Sequence, residues 1–67
     1  MPSLVVGEIL YDKFTHTLRV TYVSGKIYDY KDVPEKVYSA MKAAFSKGAF
    51  LNKYVKGKFE FEKVQVK

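Results

Sequence analysis

The sequence predicts an α+β domain: a small antiparallel sheet, made of a three-strand meander plus a C-terminal strand, covered on one face by one long and one short helix. Three observations carry that expectation. Leu18, Val20 and Tyr22 alternate with Arg19, Thr21 and Val23, and Tyr28 and Tyr30, also spaced by two, follow a Ser24-Gly25 turn. Val33, Val37, Met41 and Phe45 recur every four residues, the spacing of one helix face. Phe59 and Phe61 then alternate with Lys58, Glu60 and Glu62, which reads as a last strand with one apolar face.

Sixty-seven residues make a single domain, 1–67, near the lower limit at which a hydrophobic core holds a chain together unaided. Five Phe and six Tyr compensate, because each aromatic ring buries more area than an aliphatic side chain. The chain has no Cys, which excludes disulfides and thiolate metal sites and fits a reducing compartment. No apolar run approaches the roughly 20 residues of a membrane span. Met1-Pro2-Ser3-Leu4 lacks the basic start and apolar stretch of a signal peptide, so a cytoplasmic protein is expected.

In chain order, Leu4 to Tyr11 is β-prone, with Gly7 marking a bulge or a close backbone approach. Asp12-Lys13-Phe14-Thr15-His16 reads as a turn in which Asp12 bonds its own downstream backbone. Thr17 to Val23 is the second strand. The turn after it is decided by parity. A two-residue loop pairs Val23 with Lys26 and puts Asp29 and Lys31 on the face of Leu18 and Val20, burying charge. A three-residue loop, Val23-Ser24-Gly25 with Gly25 in the left-handed region, pairs Val20 with Tyr28 and Leu18 with Tyr30 instead. Leu18, Val20, Tyr22, Tyr28 and Tyr30 then share one face, with Arg19, Thr21 and Asp29 on the other.

Asp32-Val33-Pro34-Glu35 opens the long helix, with Asp32 or its neighbour as cap and Glu35 at the positive end of the dipole. Ala44 and Tyr38 join the apolar stripe, while Glu35, Lys36, Ser39 and Lys42 face water. Ser46-Lys47-Gly48 is expected to end the helix through a left-handed cap at Gly48. Ala49 to Lys56 is a short second helix with Phe50, Leu51, Tyr54 and Val55 on one side, and Asn52, Lys53 and Lys56 on the other; Gly57 stops it. Val64 and Val66 break the parity of Phe59 and Phe61, so the last strand bulges near Lys63 or frays. Its place is at a sheet edge or docked beside the helices.

Charge is unevenly placed. The net charge is +5, and between Lys36 and Phe59 there are six lysines and no acid. The remainder holds six basic and seven acidic residues, so the whole surplus lies in the second half. A one-sided basic surface favours polyanions; a solvated lysine surface that keeps a small protein soluble is the plainer reading.

The order of Ser24-Gly25, Tyr28-Asp29-Tyr30, Val33-Pro34, Val37-Tyr38, Ser46-Lys47-Gly48 and Phe50-Leu51-Asn52 resembles the KTSC domain over about Val5 to Val64. That domain is named for its place at the C-terminus of some lysyl-tRNA synthetases and also occurs alone in short proteins. It has no established activity, and RNA binding is what its company implies.

Two readings follow. In the first, the chain is a non-enzymatic module that binds RNA or tRNA through phosphate contacts. Ser46-Lys47-Gly48 running into the second helix offers free N–H groups beside a cation. Lys47, Gly48, Lys53, Lys56 and Lys58, with Lys42, are the candidate site. Tyr28 and Tyr30 sit on a strand as in an RNA-stacking platform, but their face is the one the helices cover, so they are assigned to the core. In the second reading, an edge strand, Leu4–Tyr11 or Phe59–Lys63, pairs with a protein partner or a second copy. No catalytic residue, cofactor, metal or membrane association is expected. His16 is the only His and lies in a turn, the serines have no visible base, and Glu60 and Glu62 read as a solvated edge.

Overall fold

The computed structural model describes residues 6–64. They form a four-stranded antiparallel sheet in sequence order, β1 (Val6–Asp12), β2 (Thr17–Tyr22), β3 (Ile27–Tyr30) and β4 (Phe61–Val64). Between β3 and β4 the chain forms α1 (Glu35–Ala43) and α2 (Lys47–Phe50), the latter continuing as a π-helical turn, Leu51–Val55. The α+β architecture with helices on one sheet face is as expected. The last strand lies at the edge beside β3, and Leu4, Val5 and Val66 fall outside the described residues.

The hairpin follows parity. Leu18 pairs with Tyr30 and Val20 with Tyr28, while Arg19 faces Asp29 on the outer side. The Tyr22 N–H donates to the Lys26 carbonyl at 2.8 Å, and Gly25, at φ +99°, donates to the Tyr22 carbonyl at 2.8 Å. Nothing lies within 4 Å of where a Gly25 side chain would stand, so only the backbone demands glycine. Gly25→Ala is therefore expected to cost about 1–2 kcal/mol, the strain of a left-handed L-residue. An unchanged urea midpoint would show that the turn relaxes without strain. At Gly7 the β1–β2 register shifts between Val6 and Glu8, the bulge its position suggests. In the first turn the Phe14 N–H donates to Asp12 Oδ1 at 2.9 Å. His16 takes φ +55°, and its carbonyl accepts from the Val33 N–H at 2.8 Å, tying the turn to the start of the helical layer.

The core is Leu18, Val20, Tyr22 and Tyr30 from the sheet against Val33, Met41, Leu51 and Val55 from the helical layer. Tyr28 is half-buried within an aromatic group: its ring centroid lies 5.5 Å from Tyr22, 6.5 Å from Tyr30 and 5.3 Å from Phe61. Tyr11 stacks on Tyr38 at 5.1 Å, and its hydroxyl donates to the Val33 carbonyl at 2.6 Å. Beyond β3 the helices cover less. Phe61 faces the core side, opposite Tyr30, yet is 57% exposed. Phe59 precedes β4 but packs on the core. Between Phe61 and Val64 the β3–β4 pairing runs without a bulge, so Val64 simply takes the outer face opposite Ile27.

The helical layer departs from expectation at the junction of its two parts. α1 starts after Pro34, in extended conformation, with no side-chain cap; Asp32 instead takes φ +55° in the preceding turn. It ends at Ala43, where the Ala44 N–H reaches the Met41 carbonyl in a tightened last turn. Ala44 and Ser46 are both extended, with ψ 143° and 110°. Phe45 between them is thus outside the helix and fully exposed, not part of the apolar stripe. Gly48 lies inside α2 and caps nothing. The sequence carried one usable sign of this break: Ser46 is a strong N-cap residue, and its hydroxyl accepts from the Ala49 N–H at 3.3 Å. Past Phe50, the Lys56 N–H reaches five residues back to the Leu51 carbonyl at 2.8 Å, a π-type bond. Gly57, at φ +80°, then turns the chain away.

Val6 opposes Tyr22, and Val64 opposes Ile27, which opposes Thr21. Both bounds of the described sheet thus lie at the end that carries the β2–β3 turn.

Candidate nucleic-acid interface

The two faces of the domain differ in how they treat charge. On the open sheet face, cations are matched to acids. Arg19 makes a forked pair with Asp29, Nε to Oδ1 at 2.8 Å and an Nη to Oδ2 at 3.0 Å, directly across the β2–β3 ladder. This hydrogen bonding holds the Asp29 carboxyl below the usual carboxylate range, with burial opposing. Lys31 lies 3.3 Å from Glu62. A shallow depression of about 460 Å³ opens here, lined by Leu10, Asp12, Thr17, Arg19, Asp29 and Lys31. Its basic groups are engaged with carboxylates.

The helical layer is the opposite case. Lys42 sits in the last turn of α1, Lys47 and Gly48 are the first residues of α2, and Lys53 lies in the π-helical turn. Lys56 and Lys58 follow it. Among the described residues, the ion pairs are those of Arg19 and Lys31, and none involves these lysines. Aromatic rings hold two of them: Lys42 Nζ is 5.7 Å from the Tyr38 ring centroid and Lys53 Nζ 5.5 Å from that of Tyr54. Tyr54, expected in the apolar row, is half exposed and packs on Phe50 with centroids 4.8 Å apart.

Not every candidate lands as the spacing suggested. The helix closes at Val55, and Lys56 has left it in extended conformation with ψ 131°, so a shared helix face does not join it to Lys53. Lys58 lines a shallow groove with Glu60 and Phe61 and so stands beside an acid. Ser46 occupies the Ala49 N–H, leaving the Lys47 and Gly48 N–H groups as the open donors at that helix start. Lys42, Lys47 and Lys53 remain on the packed pair α1–α2 and its extension. Tyr30 is buried and Tyr28 half-buried in the aromatic core. Glu60 precedes β4, its carbonyl accepts from the Lys31 N–H at 2.8 Å, and both Glu60 and Glu62 are exposed. β1 and β4 are the sheet edges, as the second reading requires. Among the described residues no group of three or more His, Cys, Asp or Glu is placed to hold a metal ion. None of their helices is long and apolar enough to cross a membrane.

A meander sheet backed on one side by a helical pair with a lysine-bearing surface defines a small one-sided α+β domain. The KTSC domain family model matches residues 2–59, and the chain belongs to that family. The crystal structure of a KTSC domain protein from Yersinia pestis superposes with a TM-score of 0.85 at 32% identity, covering 97% of this chain and 92% of that one. A lysine–tRNA ligase from Nostoc punctiforme is 40% identical over 60 residues, which is 90% of this chain and 11% of the ligase. One from Trichormus variabilis is 37% identical over 59 residues, 88% of this chain and 10% of the ligase. The chain therefore spans about a tenth of the curated relatives it matches.

Proposed function

We propose that the domain is a non-enzymatic RNA-binding module, with tRNA foremost among its ligands, that grips phosphates through Lys42, Lys47, Lys53, Lys56 and Lys58. The observation that carries this reading is the division of charge. Arg19 and Lys31 on the open sheet face are paired with carboxylates, whereas Lys42, Lys47, Lys53, Lys56 and Lys58 have no carboxylate within 4.0 Å among the described residues. Cations already free of acids take up phosphate without first breaking a pair. The likeness to segments of lysine–tRNA ligases supports the choice of RNA by association. A cytoplasmic protein would meet such a ligand.

The test is titration of tRNA at about 50 and 200 mM salt, with the double variant Lys53→Glu and Lys56→Glu. Binding should weaken steeply with salt. Removing two phosphate contacts should lower the slope of log affinity against log salt by about two. Equal slopes for both proteins would remove these lysines from the interface. An absence of binding at the lower salt would return the chain to the protein-interaction reading. There the edges are poor templates, since β1 carries a bulge and β4 has Glu62 and Lys63 in it.

A further inference from the structure

Phe45 is as exposed as a phenyl ring can be, at 107% of the reference, and no packing in the fold explains it. The extended Ala44 and Ser46 carry it out from the helical layer. It stands between Lys42, in the last turn of α1, and Lys47, the first residue of α2. Phe14 is the useful comparison. It is also almost wholly exposed, but it borders a depression lined by Asp12 and Glu35 with Lys13, where two carboxylates outweigh one cation against a polyanion. Phe45 alone among the fully exposed rings lies in the acid-free stretch 36–59.

We propose that Phe45 is a base-stacking residue, and that the RNA this surface takes presents an unpaired nucleotide there. This rests on the RNA-binding reading above and adds the ligand's conformation to it. A nucleobase offers a π face to any aromatic ring, while flanking cations hold the phosphates on either side of it. Bases within a duplex are already stacked on one another, so a protruding ring gains contact only with a base in a loop, a bulge or a single strand. Lys42 and Lys47 supply the charge that places the backbone, and Phe45 supplies the preference.

The experiment compares a short oligouridine single strand with a blunt RNA duplex of the same length, each titrated against the wild-type chain, Phe45→Ala and Phe45→Tyr. Phe45→Ala should bind the single strand roughly ten-fold more weakly, within the range that alanine substitution of stacking aromatics produces. Its duplex affinity should be unchanged, and Phe45→Tyr, which keeps the ring, should restore single-strand binding. Equal losses for both RNAs, or no loss for either, would overturn the stacking role while leaving phosphate binding in place. Failure of the wild-type chain to bind either RNA would remove both readings. Thermal unfolding of Phe45→Ala should match the wild type, since the ring packs against nothing.

Discussion

Tyr30→Ala is expected to leave the domain largely unfolded at ambient temperature. Tyr30 is 1% exposed, and its ring lies 6.5 Å from that of Tyr28 and 5.7 Å from that of Phe61. It pairs with Leu18 on the core side of the ladder. Truncating a buried aromatic costs about 3–5 kcal/mol, through lost transfer energy and the cavity left behind. A domain of this length has only about 3–10 kcal/mol in total. The loss therefore approaches the whole stability. Tyr30→Phe, which keeps the ring, should stay folded and serve as the control. Urea unfolding followed by circular dichroism reads both. A Tyr30→Ala protein with the wild-type midpoint would mean that the ring is not part of the folded core.

The second large effect is alkaline. Among the described residues, the Tyr22 hydroxyl is the buried side-chain polar atom without a hydrogen-bond partner. Burial pushes it well above the tyrosine range, and the Tyr30 hydroxyl adds to the rise. The two oxygens are near enough to act on each other's titration without completing a hydrogen bond of ordinary geometry. Tyr30 is also raised, chiefly by burial, and so is Tyr11, by burial and then by Glu35. In the unfolded chain a tyrosine loses its proton near pH 10. Above that value the unfolded state binds fewer protons than the folded one, so stability falls as pH rises. The contribution is complete below about pH 10 and is lost as pH climbs through the folded values. Tyr22→Phe removes the largest such group together with an unsatisfied hydroxyl. It should raise stability at neutral pH by about 1 kcal/mol and move the alkaline unfolding midpoint upward. A lower midpoint would show that the hydroxyl has a partner worth more than its burial costs.

What could be read from the chain divides along physical lines. The β2–β3 hairpin was legible because its side-chain period is two: a slip of one residue would bury Asp29 and Lys31, so only one register survives. The Tyr28 and Tyr30 assignment came from the same parity. The helix junction was not legible, because Phe45 falls four residues after Met41 and fits the stripe perfectly well on paper. What overrides the stripe is a local competition, in which the Ser46 hydroxyl starts a new helix and the intervening residues must extend. Of the candidate site, the charge bias was legible because it needs only a count. The exposed Phe45 and Tyr54 were not, because apolar residues at helical spacing look alike whether they turn inward or stand clear.

Val6 and Val64, the bounds of the described sheet, lie at one end of it but on opposite edges, three strand spacings or roughly 14 Å apart. A neighbour joined closely to both bounds would therefore meet the domain on that side. The domain would hang from such a neighbour as a loop hangs from its two feet. A fused copy can then be tethered at both feet from one direction, leaving the far end of the sheet, with the Lys13–His16 turn, pointing away from the tether.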